Sequence, residues 1–192
     1  MVMSDLTLEA IADFLHRHRP NRIDEPGAVR AAVAIVLAPG TSGDAELLLI
    51  KRAERKGDPW SGQMALPGGR HEPGDRILLD TARRETYEET GIGLSEDQVL
   101  GELDDLHPRT RVLPSIIVRP FVFSLPNRPT VQTSDEATLH LWVSLTVLRA
   151  AATRSSITVR GKRMKVASYV LGPYIIWGMT ERIIRPLIDL AC

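Results

Sequence analysis

Apolar positions along this chain recur with two different spacings. Leu6, Leu8, Ile11, Ala12 and Leu15 fall at mostly helical intervals, which predicts an N-terminal helix over Leu6 to His18. Pro20 to Gly27 is a polar, proline-bearing link. Arg30 to Leu37 and Glu46 to Arg52 read as buried strands, joined by a hairpin-type connection at Gly40-Thr41-Ser42-Gly43-Asp44. Lys56 to Gly62 is a loop rich in turn formers, and Gln63 to Leu66 is a short strand running straight into Pro67-Gly68-Gly69. The spacing from Asp75 to Thr90 is helical again and ends at Gly91, a normal residue just past a helix.

Strand signals resume at Val99 to Leu103, Ser115 to Ser124 and Thr138 to Val143. Ser144 suits the N-cap of a short helix through Ala151. Ser156 to Arg160 and Arg163 to Val170 flank Gly161-Lys162 as a hairpin, and Thr180 to Ala191 predicts a terminal helix that Pro186 should kink or break. Trp142 and Trp177 lie among apolar neighbours and are expected in the core. The order of helix, strands, helix, strands, helix predicts an α/β fold with helices packed on a mixed sheet. Residues 1–192 fit one domain, of which 1–27 are the N-terminal helix and link.

Composition narrows the function classes. The apolar fraction of 43% and charged fraction of 25% are those of a globular protein. Lys+Arg and Asp+Glu are both 24, a balance that argues against a stable nucleic-acid partner, which would call for a basic excess. Cys192 is the one cysteine, so no intrachain disulfide can form, as suits a reducing cytosol. The N-terminus lacks a basic and then apolar leader. The longest apolar run, Ala31 to Ala38, is far short of the roughly 20 residues a bilayer span needs. These features lead us to expect a cytoplasmic protein with no membrane partner.

The chemistry is concentrated between Leu66 and Ile92. Glu85, Glu88 and Glu89 stand at i, i+3 and i+4, on one face of the helix end. Like charges at that spacing repel, and carboxylates in a last turn face the negative end of the helix dipole. A divalent cation would resolve both conflicts, and Mg²⁺ or Mn²⁺ favours such oxygen ligands. A solvated acidic helix end, partly neutralised by Arg83 and Arg84, would explain the same residues. Gly68-Gly69 after a strand changes the weight, because glycine lets backbone approach a ligand or metal closely. Pro73-Gly74 makes a turn, Asp75 suits the N-cap of the helix, and a loop so placed can fold back over the helix.

This segment resembles the Nudix box, in which a glycine, an acidic residue, Arg-Glu, Glu-Glu and a glycine recur at set spacing. Gly69, Asp75, Arg84, Glu85, Glu88, Glu89, Gly91 and Ile92 fill those places. Asp75 replaces a glutamate, Thr86 stands where an aliphatic residue is usual, and one extra residue lies between Asp75 and Arg84. That lengthening is similar to the coenzyme A-type branch, as are Gly62 to Gly69, Pro114 to Phe123 and Ile176-Trp177-Gly178-Met179-Thr180. The branch's Arg-Ser start and its histidine before Gly-Gln are replaced here by Arg52 to Trp60. The resemblance implies an α/β/α sandwich and hydrolysis of a diphosphate linkage in a nucleoside diphosphate derivative, such as coenzyme A or its thioesters. ADP-ribose, a nucleoside diphosphate sugar or a (d)NTP is the alternative substrate, and a nucleotide-sensing module without activity is the alternative outside catalysis.

The resemblance also implies roles for residues. Glu85, Glu88 and Glu89, helped by a carbonyl of Gly68 or Gly69, would hold Mg²⁺ or Mn²⁺, and Arg84 would orient the glutamates. Glu85 or Glu89 is the first candidate for general base, and Asp135 or Glu136 the alternative from a later loop. Lys51, Arg52, Arg55 and Lys56 are candidate phosphate clamps, with Arg52 favoured; Gln63 and Gly69 complete the candidate substrate contacts. Trp60 either stacks on a base or covers the glycine loop, and His71 is expected at the surface. Many relatives are homodimers, which makes the Leu6 to His18 helix and the edge strands candidate interface elements.

Overall fold

The computed structural model describes residues 6–57, 60–108, 115–159 and 161–191. Pro114, Arg160 and Cys192, named above, and Asp58 and Pro59 within the stretch Arg52 to Trp60, lie outside the described residues. The first helix, α1 (Leu8–Arg17), is capped by Thr7, whose Oγ1 accepts from the Ala10 N–H at 3.1 Å, and it buries Ile11 and Leu15. Strands β1 (Val29–Pro39) and β2 (Ala45–Arg52) form the antiparallel hairpin expected around Gly40 to Asp44. β3 (Met64–Ala65) pairs with β2, and β4 (Gly68–Arg70) pairs with β1. The glycine segment is thus sheet, not loop.

Helix α2 (Leu78–Thr90) follows, then β5 (Val99–Glu102), β6 (Ile116–Ser124), β7 (Ala137–Ser144) and the short helix α3 (Leu145–Ala150). Ser144 caps α3 as expected, its Oγ accepting from the Val147 N–H at 3.1 Å. β1 runs parallel to β6, while its pairing with β2 is antiparallel, so the seven-stranded sheet, in order β3-β2-β1-β6-β5 with β4 and β7 joined to its middle, is mixed.

Alternation along β1 explains the layers. Ala31, Ile35 and Leu37 join one apolar cluster with residues of α1, α3 and α4 (Met179–Ile188). Ala32, Ala34, Val36 and Ala38 join a second cluster, with Ala82 of α2, Phe121 and Phe123. Successive strand residues point to opposite faces, so one apolar strand serves both helix layers. The result is an α/β/α sandwich.

A second sheet, with strand order β10-β9-β8, was not foreseen: β8 (Ala152–Val159), β9 (Lys162–Leu171) and β10 (Tyr174–Trp177). The hairpin of 156–170 was legible but started four residues too late, and β10 was missed. Pro186 does not break α4, which continues to Ile188. Ile183, Ile184, Leu187 and Ile188 are buried around it, and their packing outweighs one missing hydrogen bond. No helix among the described residues is long and apolar enough to cross a membrane.

Candidate functional site

The expected helix start at Asp75 is corrected. α2 begins at Leu78, and its N-cap position, Ile77, makes no side-chain cap bond. Asp75 is drawn away by better donors. Its carboxylate accepts from the Glu72 N–H at 3.0 Å, from Thr81 Oγ1 at 2.8 Å, and from Arg84 Nε and Nη2 at 3.0 Å each. The Arg84 guanidinium, supported by those donors, holds the Asp75 carboxyl well below the usual range.

Arg84 is the hub of the box. Besides the two bonds to Asp75, Nη1 donates to Glu85 Oε1 at 2.9 Å and to Glu88 Oε2 at 3.1 Å, and Nη2 donates to the Arg70 carbonyl at 3.1 Å. One planar fork therefore ties the glycine strand, the following turn and the glutamate face together. His71 is exposed, as expected, and its ring still belongs to the same tie, with Nδ1 3.0 Å from Thr81 Oγ1.

The glycines have specific neighbours. A Cβ on Gly68 would lie 2.4 Å from the Ala32 carbonyl oxygen, and one on Gly69 would lie 2.3 Å from Glu85 Cδ. Only glycine lets β4 pass between β1 and the glutamates. Its Gly68 N–H donates to Glu89 Oε2 at 2.9 Å. Glu89 is 2% exposed, and burial pushes its carboxyl up to about 7, with the nearby charges of Glu85 and Glu136 adding to the effect. The Gly68 N–H and the Arg52 cation, whose Nη1 lies 4.0 Å from Glu89 Oε1, partly offset that rise. Burial likewise raises Glu85.

Glu88 is different, with its side chain about half exposed. Among the described residues no three His, Cys, Asp or Glu side chains are gathered closely enough to enclose an ion. Glu85 and Glu88 meet through Arg84 instead, while Glu89 turns to the glycine backbone. Glu136, just before the main run of β7, is half exposed and accepts from Arg55 Nη1 at 3.0 Å. Its charge reaches both Glu85 and Glu89, so tertiary folding brings the later loop to the box.

On the other side of Gly68 and Gly69 opens a cavity of about 460 Å³. Arg52, Arg55 and Arg70 supply cations to its wall, with Trp60 and Gln63, and Val33, Leu66, Val118, Met179 and Ile183 supply an apolar wall. Of the four basic candidates before the box, Arg52 and Arg55 line the cavity and Lys51 and Lys56 do not. Trp142 packs against the core cluster on the α2 side, whereas Trp177 is only half-buried. Three features were not legible in the sequence: Arg70 on the wall, the Asp75–Arg84 pair, and the closure of the cavity by α4. In the last, Thr180 Oγ1 donates to the Met64 carbonyl at 3.1 Å.

Comparison with known proteins agrees with this architecture. Residues 28–160 match the NUDIX domain family. The uncharacterized Nudix hydrolase NudL of Yersinia pestis is 32% identical over 163 residues, which cover 82% of this chain and 77% of that protein. The mitochondrial coenzyme A diphosphatase NUDT8 of Homo sapiens is 29% identical over 170 residues, covering 79% of this chain and 66% of its own length. An uncharacterized protein of Schizosaccharomyces pombe is 29% identical over 182 residues, 84% of this chain, yet the chain spans only 54% of that relative. The structure of a MutT/nudix family protein from Enterococcus faecalis superposes with a TM-score of 0.57 at 19% identity, covering 96% of this chain and 68% of that one, a likeness of fold.

Proposed function

The chain belongs to the Nudix hydrolase family, and on that premise we propose that it hydrolyses the diphosphate linkage of a nucleoside diphosphate derivative, with coenzyme A or its thioesters as the first substrate class. One observation carries the reading. The carboxylates of Glu85 and Glu89 abut the Gly68-Gly69 backbone on one side, and that backbone lines a cavity walled by arginines on the other. The relative named as a coenzyme A diphosphatase supports the substrate class.

The donor set suits a hard divalent cation: three carboxylates at one helix end, with a glycine strand close enough to offer a carbonyl. Glu85, Glu88 and Glu89, with the Gly69 carbonyl, would hold Mg²⁺ or Mn²⁺. When bound, such an ion neutralises diphosphate charge and lowers the pKa of bound water. Arg84 keeps the glutamates in place through Asp75 and does not touch the substrate. Arg52 and Gln63, on the cavity wall, bind the substrate, Arg52 as a phosphate clamp. Glu85 or Glu89 removes a proton from the attacking water, and Glu136 is the alternative base.

The test is a product-resolved assay with Mg²⁺ over coenzyme A, ADP-ribose, sugar nucleotides and dNTPs. Two phosphorylated products are expected from at least one of them, and Glu85→Gln and Glu89→Gln should each lower kcat by about a hundredfold or more. Glu136→Gln should cost less than about tenfold if the base lies in the helix, and as much as the others if it lies in the later loop. A panel without metal-dependent turnover, together with an inert Glu89→Gln, would overturn the reading.

A further inference from the structure

Of the three arginines on the cavity wall, Arg70 stands apart. Arg52 lies beside Glu89, its Nη1 4.0 Å from Oε1, and Arg55 donates to Glu136 Oε1 at 3.0 Å. The Arg70 carbonyl accepts from Arg84 Nη2, yet among the described residues the Arg70 side chain makes no hydrogen bond and no ion pair. It is exposed while lining the cavity, which puts its guanidinium at the rim.

Strand register shows what lies next to it. Arg70 is opposite Ala31 of β1, and Ala31 is opposite Val118 of β6, so the three make one row across the sheet and share a face. Gly68 and Val33 make the row two residues away on that same face. The Arg70 Cα is therefore about 7 Å along β4 from Gly68, whose N–H meets Glu89. Ala31, Val33 and Val118 give the cavity an apolar floor beside Arg70, and Met179 and Ile183 of α4 close it from the other side. An apolar slot of that kind suits a planar base. A guanidinium at its rim meets no charge on a base or on a ribose hydroxyl, whereas its planar fork fits the oxygens of a phosphate.

We propose that Arg70 is a specificity-determining residue: it selects substrates whose nucleoside half carries a phosphate monoester in addition to the scissile diphosphate. The inference rests on the hydrolase reading above and narrows its substrate class. In that reading the scissile diphosphate belongs with Arg52 and the glutamates, which leaves Arg70 for a second anionic group. A phosphate monoester carries close to two charges at neutral pH and accepts a bidentate guanidinium. Coenzyme A and its thioesters have such a group on the ribose. ADP-ribose, nucleoside diphosphate sugars and (d)NTPs have none there, so Arg70 favours the first class over the others.

The test has two arms. In steady-state hydrolysis with Mg²⁺, kcat/KM should be about tenfold or more higher for coenzyme A than for dephospho-coenzyme A, which lacks only the ribose phosphate. Arg70→Gln should bring that ratio to about one by raising KM for coenzyme A, and Arg70→Lys should keep part of it. Arg163→Gln removes the same charge from the exposed β8–β9 hairpin and should preserve the ratio. In titration calorimetry without metal, adenosine 3′,5′-bisphosphate should bind about tenfold tighter than AMP, and Arg70→Gln should abolish the difference. Equal or better turnover of substrates without the added phosphate overturns the proposal and leaves diphosphate hydrolysis standing. So does a preference that survives Arg70→Gln, or one lost equally in Arg163→Gln. If no substrate turns over, the hydrolase reading fails, and calorimetry decides on Arg70 by itself: a bisphosphate preference lost in Arg70→Gln supports its role, and no preference overturns it.

Discussion

A single arginine determines how the acidic helix end is read at the scale of residues. Glu85, Glu88 and Glu89 break two rules of helix electrostatics, and Arg84 reconciles part of the conflict by bonding Glu85 and Glu88 while anchored on Asp75. Lysine cannot reproduce that fork. We expect Arg84→Lys to lower kcat with little change in KM, because the residue positions the glutamates without meeting substrate; steady-state kinetics would separate the two. Gly69→Ala is a sharper probe. Its Cβ would lie 2.3 Å from Glu85 Cδ, so the carboxylate must move. A displacement of that order should lower kcat by about a hundredfold while circular dichroism stays unchanged. The spacing of the glutamates was legible, since helical periodicity is local. The Asp75–Arg84 pair was not, because a capping role for Asp75 satisfied every local rule.

Among the elements, agreement between pattern and structure follows how strongly each local signal is tied to burial. α1 obeys its pattern and its cap, so Thr7→Ala should cost about 1 kcal/mol, read as a lowered midpoint in urea. α4 disobeys its proline because four buried apolar side chains hold the helix on the sheet. β10 escaped notice because Tyr174 to Trp177 is too short a run to separate strand from helix by period. β4 escaped because two glycines carry no side-chain signal at all. Its pairing is imposed by β1, through the Val33–Gly68 and Ala32–Gly69 register.

The whole molecule depends on buried carboxylates as well as on its two apolar clusters. Asp105, with a fully buried side chain, accepts from Arg119 Nε at 2.8 Å, from Arg119 Nη2 at 3.0 Å, and from the Ile23 N–H at 3.0 Å, tying the N-terminal link to β6. Burial alone would raise its pKa. The Arg119 and Ile23 bonds outweigh that, and the carboxyl titrates below its ordinary value of 3.8. A group lowered by folding stabilises above its unfolded pKa and loses that contribution as pH falls through the folded one. Urea midpoints should therefore fall below about pH 4, Asp75 adding to the slope, and should also decline from about pH 5 toward 7, where the buried Glu89 carboxyl, raised by folding, is made to ionise. Asp105→Asn should be less stable near neutrality by about 2 kcal/mol or more, with a flatter acid limb.

What the chain determines by itself is local and periodic. Alternation set β1 and β2, the helical period set α1 and α2, and the interval from Gly69 through Glu85, Glu88 and Glu89 identified the family. Tertiary structure decided what sequence distance conceals. It brought Glu136 and Arg55 to the box, put Arg70 and α4 on the cavity wall, and turned Asp75 from a cap into an anchor. It also paired β8, β9 and β10 into a second sheet. The physical reason is common to all of these. Hydrogen bonds and burial between distant residues depend on which surfaces meet, and a period along the chain specifies the surfaces without specifying their partners.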